Sequence, residues 1–157
     1  MSRSCILPGS YDPITVGHLE IIRKALSLYD EVFVVAFINP EKKYLFSADQ
    51  RLSMLRIATE GMERVTVDFS EGLVVDYMKA HGISEIFKGY RNEADLEYEQ
   101  KMAEWNKAHG GFDTVLFKCK PDCEMISSTA VREAIARGED AAHLLPVGVE
   151  EFIRKLF

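Results

Sequence analysis

Residues 8–18 read PGSYDPITVGH, and this segment lies between a short apolar run and an amphipathic stretch. The run at 5–7 predicts a β-strand, and the spacing of apolar residues over 17–29 predicts a helix. Gly9 and Ser10 follow the strand, and His18 lies in the first helical turn, where free N–H groups favour phosphate. The segment therefore predicts an α/β fold with an anion site at this strand end.

The remainder of the chain repeats the alternation of strand and helix. Further strands are predicted at 32–37, 65–69, 86–87 and 114–117. Further helices are predicted at 47–61, 73–80, 93–109, 129–137 and 149–156, the first opened by a capping box of Ser47 and Gln50. The pattern predicts a single Rossmann-like domain over residues 1–157, with a five-stranded parallel sheet and helices on both faces. Ligands of such sheets bind at the carboxyl ends of the strands.

The bulk composition limits the partners of the chain. It is 47% hydrophobic and 28% charged, with a net charge of -6, so we expect no nucleic-acid or membrane partner. It shows no spanning apolar run and no export signal, which predicts a cytoplasmic protein. Cys5, Cys119 and Cys123 complete no zinc pattern and are expected to be reduced thiols.

The residue type and position of His18 are compatible with two roles. It either caps the helix or donates a hydrogen bond to an oxygen on which negative charge builds up. The chain contains neither G-x-G-x-x-G nor G-x-x-x-x-G-K-[ST]. These absences exclude a dinucleotide dehydrogenase of the usual type and a Walker-type NTPase.

Cations follow two other predicted strands. Lys42 and Lys43 are either a solvated surface pair or a phosphate site. Lys88 and Arg91 flank Gly89 in the predicted loop 88–91 and could hold a polyphosphate.

Polar residues also open two of the later predicted helices. Asp95, Glu97 and Glu99 are either all solvated acids, or one of them binds a ribose hydroxyl or a magnesium-bound water. The hydroxyl run 127–129, with Arg132 one turn further on, is either a helix cap or an anion site.

Four strings carry a resemblance to a known family. TVGH at 15–18 and ISST at 126–129 resemble the two signatures of the nucleotidyltransferase superfamily, which includes class I aminoacyl-tRNA synthetases. In order and spacing, PGSYDPITVGH, KKYLF, KGYRNEADLEYE and ISSTAVRE resemble bacterial phosphopantetheine adenylyltransferases over essentially the whole chain. The resemblance implies transfer of AMP from ATP to 4'-phosphopantetheine, with Mg2+ present. It also implies a homohexamer and inhibition by coenzyme A.

The resemblance also implies roles for individual residues. His18 and Lys42 are the implied catalytic residues, and no metal ligand is identified. The implied acceptor site consists of Ser10, Lys42, Val74 and Lys88. The implied ATP site consists of Ser10, Tyr11, His18, Gly89, Tyr90, Arg91, Glu99, Cys123, Glu124, Met125, Ile126, Ser127, Ser128 and Thr129.

Lys88 departs from the family pattern, which often has arginine there. A lysine keeps the charge but loses the bidentate geometry. Two alternatives to the implied reaction follow from the sequence: a related nucleotidyltransferase acting on nicotinamide mononucleotide or glycerol phosphate, and a nucleotide-binding regulator without catalysis. The retained His18 and lysine pair argue against the regulator, because a protein that only binds nucleotide needs no transition-state group.

Overall fold

Strands and helices alternate along the chain in a computed structural model that describes residues 3–157. The strands are β1 Ser4–Gly9, β2 Glu31–Phe37, β3 Val65–Ser70, β4 Glu85–Tyr90 and β5 Thr114–Lys118. The helices are α1 Val16–Leu28, α2 Ala48–Ala58, α3 Val74–His81, α4 Glu93–Gly110, α5 Ser128–Ala136 and α6 Val149–Leu156. Short 3₁₀ turns occupy Pro121–Cys123 and Ala142–Leu144. Each element predicted from the sequence is present.

The sheet has five parallel strands in the order β3-β2-β1-β4-β5. The chain builds outward from β1 to β3 and then returns to the opposite side of β1 to add β4 and β5. The strand order therefore reverses between β1 and β4, where Ile6 pairs with Ile86. In an open parallel sheet this reversal opens a crevice at the carboxyl ends of the two strands.

Neighbouring residues of the strands pack into two separate cores. In β1, Cys5 and Leu7 belong to a large core beneath α1, α2, α5 and α6, whereas Ile6 belongs to a second core beneath α3. Successive side chains of a strand point to opposite faces, so helices must cover both faces. This confirms the predicted fold class.

One predicted boundary was wrong in a way that matters for the site. Residues Lys88, Gly89 and Tyr90 were expected in a loop but form the last part of β4, paired with Leu116, Phe117 and Lys118 of β5. The apolar signal stops at Phe87, whereas the backbone ladder continues to Tyr90. The Lys88 side chain is consequently held by a strand rather than by a loop.

Two helix ends follow the capping signals, whereas α2 ends at Ala58, three residues before the predicted end at 61. Ser47 and Gln50 form the predicted capping box, with reciprocal hydrogen bonds of 2.9 and 3.1 Å. Helix α3 ends at Gly82, whose φ of 66° lies in the left-handed region that favours glycine. Within residues 3–157, no helix is both long and apolar enough to cross a membrane.

Helix α4 leaves an apolar face uncovered. The spacing of Tyr98, Met102 and Trp105 puts them on one side of it, and they are 62%, 40% and 39% exposed. Among the residues of this 18-residue helix only Asn106 is buried. Part of this face lines a cavity beside the sheet.

Candidate active site

Two cavities meet at the carboxyl ends of β1 and β4. The larger has a volume of about 570 Å³ and extends toward α3 and α4. The smaller has a volume of about 420 Å³ and extends toward the starts of α1 and α5. Their shared wall consists of Pro8, Gly9, Ser10, Lys42, Lys88 and Glu99. Ligands in the two cavities would therefore meet at a wall that contains two lysines, a hydroxyl and a carboxylate.

His18 lies in the smaller cavity and is held by the cap of α1. The backbone N–H of Thr15 donates to its Nδ1 at 3.0 Å, and the backbone N–H of His18 donates to Thr15 Oγ1 at 3.3 Å. The Tyr11 ring packs against the imidazole, with centroids 4.9 Å apart. The helix-cap role is therefore confirmed, and it does not exclude the other role, because Nε2 takes no part in it.

The protonation of His18 follows from this geometry. Burial, and then the charges of Lys88 and Arg91, lower its pKa to about 4, so the ring is neutral at pH 7. Because Nδ1 accepts a hydrogen bond from a backbone N–H, the proton of the neutral ring lies on Nε2. His18 thus offers one fixed N–H donor to a ligand in the smaller cavity.

The shared wall positions its two lysines differently. Lys42 Nζ donates to Ser10 Oγ at 3.1 Å, whereas Lys43 is exposed and lines neither cavity. Lys88 Nζ donates to the carbonyl of Pro8 at 3.1 Å and lies 3.6 Å from Glu99 Oε1. Burial raises the pKa of Glu99, and the charge of Lys88 opposes that rise. Both ammonium groups therefore lie at the wall that the two cavities share.

The starts of α1 and α5 converge on the smaller cavity. Ser127 caps α5 by accepting from Ala130 N–H at 3.0 Å, which confirms the cap alternative for this residue. Ser128 Oγ donates to the carbonyl of Pro13 at 2.7 Å, and Arg132 Nη1 donates to that of Asp12 at 2.8 Å. These bonds join the second signature to the first loop, so two helix N-termini face one space.

The larger cavity has a mixed apolar and polar lining. Val74 and Leu73 line it beside Met102 of α4. The buried Asn106 also lines it, as does Thr114, whose Oγ1 is buried without a hydrogen-bond partner. The cavity therefore suits an elongated ligand that has both apolar segments and hydrogen-bonding groups.

Comparison with known proteins agrees with these features. The family model described as cytidylyltransferase-like matches residues 6–134. A phosphopantetheine adenylyltransferase of Thermobifida fusca is 40% identical over 152 residues, covering 97% of this chain and 93% of its own length. One of Streptomyces coelicolor is 42% identical over 144 residues, covering 92% of this chain and 91% of its own length. The chain belongs to the phosphopantetheine adenylyltransferase family.

A solved structure shares the fold. It is a bifunctional NMN adenylyltransferase/ADP ribose pyrophosphatase from Francisella tularensis, with a TM-score of 0.73 and 15% identity. The match covers 99% of this chain and 50% of that one. At this identity the likeness concerns architecture alone, and it agrees with the nucleotidyltransferase fold of the adenylyltransferase family.

Most of the residues that the family resemblance implied lie around the two cavities. Ser10, Lys42 and Lys88 line both, Val74 lines the larger, and His18, Gly89, Arg91, Cys123 and 126–129 line the smaller. Tyr11 lines the smaller cavity too, but its hydroxyl is used by the Leu7 carbonyl at 2.8 Å. The structure places Tyr90, Glu124 and Met125 outside both linings, and Met125 is 85% exposed. The ligand roles of all these residues stay predictions.

Several lining residues were not among the implied ones. Asp95 lines the smaller cavity and binds Arg91 Nε at 3.0 Å, and Asn106 and Thr114 line the larger. The sequence placed Asp95 at a helix start, which does not distinguish a lining acid from a solvated one. Nothing in the local pattern marks Asn106, because an asparagine inside a helix is ordinarily solvated.

Gly89 has a packing reason that the sequence did not reveal. A Cβ there would lie 2.5 Å from Ile21 Cδ1 and 2.9 Å from Ile21 Cγ1. The glycine therefore lets Ile21 of α1 pack against the end of β4. Its role in ATP binding stays a prediction.

Proposed function

We propose that this chain reversibly transfers the adenylyl group of ATP to 4'-phosphopantetheine, producing dephospho-coenzyme A and pyrophosphate for coenzyme A biosynthesis. Family membership supports the assignment. The observation that carries it is the meeting of two cavities at a wall that contains Ser10, Lys42 and Lys88. A transfer between two anionic substrates requires such a cationic junction.

The two cavities suit different substrates. ATP is assigned to the smaller, where two helix N-termini and Arg91 offer donors and positive charge to the phosphates. The acceptor is assigned to the larger, where Val74 and Met102 suit the alkyl parts of a pantetheine arm. Asn106 and Thr114 supply polar groups for its amides. The acceptor phosphate then lies at the shared wall.

The chemistry needs no protein nucleophile. An oxygen of the acceptor phosphate attacks the α-phosphorus of ATP, and the bond from that phosphorus to the pyrophosphate oxygen breaks. The acceptor is already an anion at neutral pH, so the protein positions the reactants and stabilises charge. Lys42 and Lys88 hold the acceptor phosphate, and His18 Nε2–H donates to an α-phosphate oxygen.

Mg2+ is proposed as the cofactor, carried on the triphosphate of ATP. Within residues 3–157, no group of three His, Cys, Asp or Glu side chains forms a metal cage. Mg2+ commonly keeps several waters and binds phosphates with only one or two carboxylates, so this donor set fits. Asp95 and Glu99 are the carboxylates that line the smaller cavity and would hold its waters. Bound there, it would neutralise charge on the transferring phosphates.

The remaining proposals concern partners. Coenzyme A contains both a pantetheine arm and an adenine nucleotide, so it fits both cavities and is proposed as a feedback inhibitor.

Self-association, with a hexamer as the proposed state, is supported by the uncovered face of Tyr98, Met102 and Trp105 on α4. A cytoplasmic location is proposed with the pathway.

The decisive experiment measures pyrophosphate release from ATP and Mg2+ with a panel of acceptors. Release with 4'-phosphopantetheine should be fast, and release with nicotinamide mononucleotide should be slow or absent. Unphosphorylated pantetheine should fail, because it lacks the attacking phosphate. Equal rates with the first two acceptors, or a preference for nicotinamide mononucleotide, would overturn the proposal.

A further inference from the structure

Arg51 in α2 is a buried cation for which the proposed reaction, as described above, has no use. It is 2% exposed and is among the largest fully buried side chains. Within residues 3–157, no carboxylate oxygen lies within 4.0 Å of its guanidinium, and its Nε has no hydrogen-bond partner. A buried charge without a counter-ion is costly, and an apolar residue would fill the same space at lower cost.

Two polar contacts of the Arg51 side chain lie beside the shared wall. Its Nη1 donates to the carbonyl of Ser10 at 2.9 Å. Its guanidinium stacks on the Tyr44 ring, with the Cζ atom 3.9 Å from the ring centroid. Lys42 Nζ lies 5.5 Å from the centroid of the same ring and donates to Ser10 Oγ. Arg51, Ser10, Lys42 and Tyr44 therefore form a closed ring of contacts.

This ring is a second link between two loops, because Asp12 already accepts hydrogen bonds of 2.8 and 2.9 Å from the backbone N–H groups of residues 45 and 46. Ser10 lies in the loop after β1, whereas Lys42 and Tyr44 lie in the loop after β2. Lys42 is itself exposed and has a flexible stem, and its ammonium group contacts Tyr44 of its own loop and Ser10 of the other. A planar guanidinium can donate in its plane and stack through its face at once, which a lysine cannot do.

We propose that Arg51 is a positioning residue that sets Ser10 and, through the Tyr44 ring, Lys42 at the wall where the two substrates meet. The inference rests on the proposed function, but each variant is compared with wild type on whichever acceptor wild type uses. Failure of the acceptor assignment and failure of the Arg51 role are therefore distinguishable.

The test uses Arg51→Lys, which keeps the charge but loses the planar fork, and Arg51→Gln, which loses both. Arg56→Gln is the matched control, because Arg56 is an exposed arginine on the same helix. Turnover, KM for both substrates and melting temperature are measured, and the kinetic assays are run at a temperature below the melting transition of every variant. Misplacement of a reacting group by about 1 Å costs on the order of 100-fold, so both Arg51 variants should lose about 10- to 100-fold in kcat. The control should stay within about twofold, as expected of a surface change.

A double-mutant cycle separates positioning from a structural role. If Arg51 acts through Lys42, Arg51→Lys should cost less than about threefold in a Lys42→Ala background, because coupled residues are non-additive. The same factor in both backgrounds, or wild-type kcat in Arg51→Lys, would overturn the proposal. If the Arg51 variants do not fold, Tyr44→Leu removes the stacking surface and carries the same cycle with Lys42→Ala, with the same two outcomes.

Discussion

Replacing His18 by asparagine separates the two functions that the structure gives to its ring. The Oδ1 of asparagine can take the place of Nδ1 and accept from Thr15 N–H, so the cap of α1 is kept. The side chain is too short to replace Nε2–H. We expect His18→Asn to fold with near wild-type stability and to lose catalysis.

The magnitude follows from the single donor that is removed. Loss of one preorganised donor costs on the order of 10²–10³ in kcat, or about 2.7–4 kcal/mol of transition-state stabilisation. The KM and the binding constant for ATP should change much less, since the interaction strengthens mainly in the transition state. His18→Ala should lose as much turnover and also the hydrogen bond to the cap, about 1 kcal/mol or about 2–4 °C in melting temperature.

Steady-state kinetics, an ATP titration and thermal melts of wild type, His18→Asn and His18→Ala decide the matter. Unchanged turnover in His18→Asn would show that the residue is only a cap. A loss confined to ATP affinity would show that it is only a binding group. Either result refutes the catalytic role assigned to Nε2–H.

Three further predictions follow from the site. Lys42→Ala should raise KM for the acceptor and lower kcat, while Lys43→Ala should change both little, because only Lys42 reaches the shared wall; steady-state kinetics that rank Lys43 first would contradict this. His18 should make stability depend on pH. Its ring is neutral in both the folded and the unfolded chain above pH about 6.5, and only the unfolded chain takes up the proton between about 6.5 and 4. Stability should therefore decrease as the pH is lowered through that range. Denaturant titrations should show this fall in wild type and a smaller one in His18→Asn; equal falls would refute it. Gly89→Ala should destabilise by about 1–3 kcal/mol through overlap with Ile21, measured by denaturant unfolding, and an unchanged midpoint would contradict the packing role.

The sequence by itself determined the order and type of the elements. Apolar periodicity and capping residues are local signals, so Ser47 with Gln50 located a helix start that the structure confirms. The alternation of strand and helix fixed a parallel sheet, because parallel strands require crossovers. The loops after the strands then pointed to the residues that line the cavities.

Only the tertiary structure decided which of those residues meet. The position of β4 beside β1 brings Lys88 to Pro8, although 80 positions along the chain separate them, because strand order depends on packing of whole elements. The same packing keeps the His18 ring neutral through burial and two neighbouring cations, whereas its Nε2–H tautomer follows from the local cap with Thr15. Arg51 carried no sequence signal, since its meaning lies in contacts with Ser10 and Tyr44 from two other segments. Local pattern reports what a residue can do, and three-dimensional proximity decides what it does.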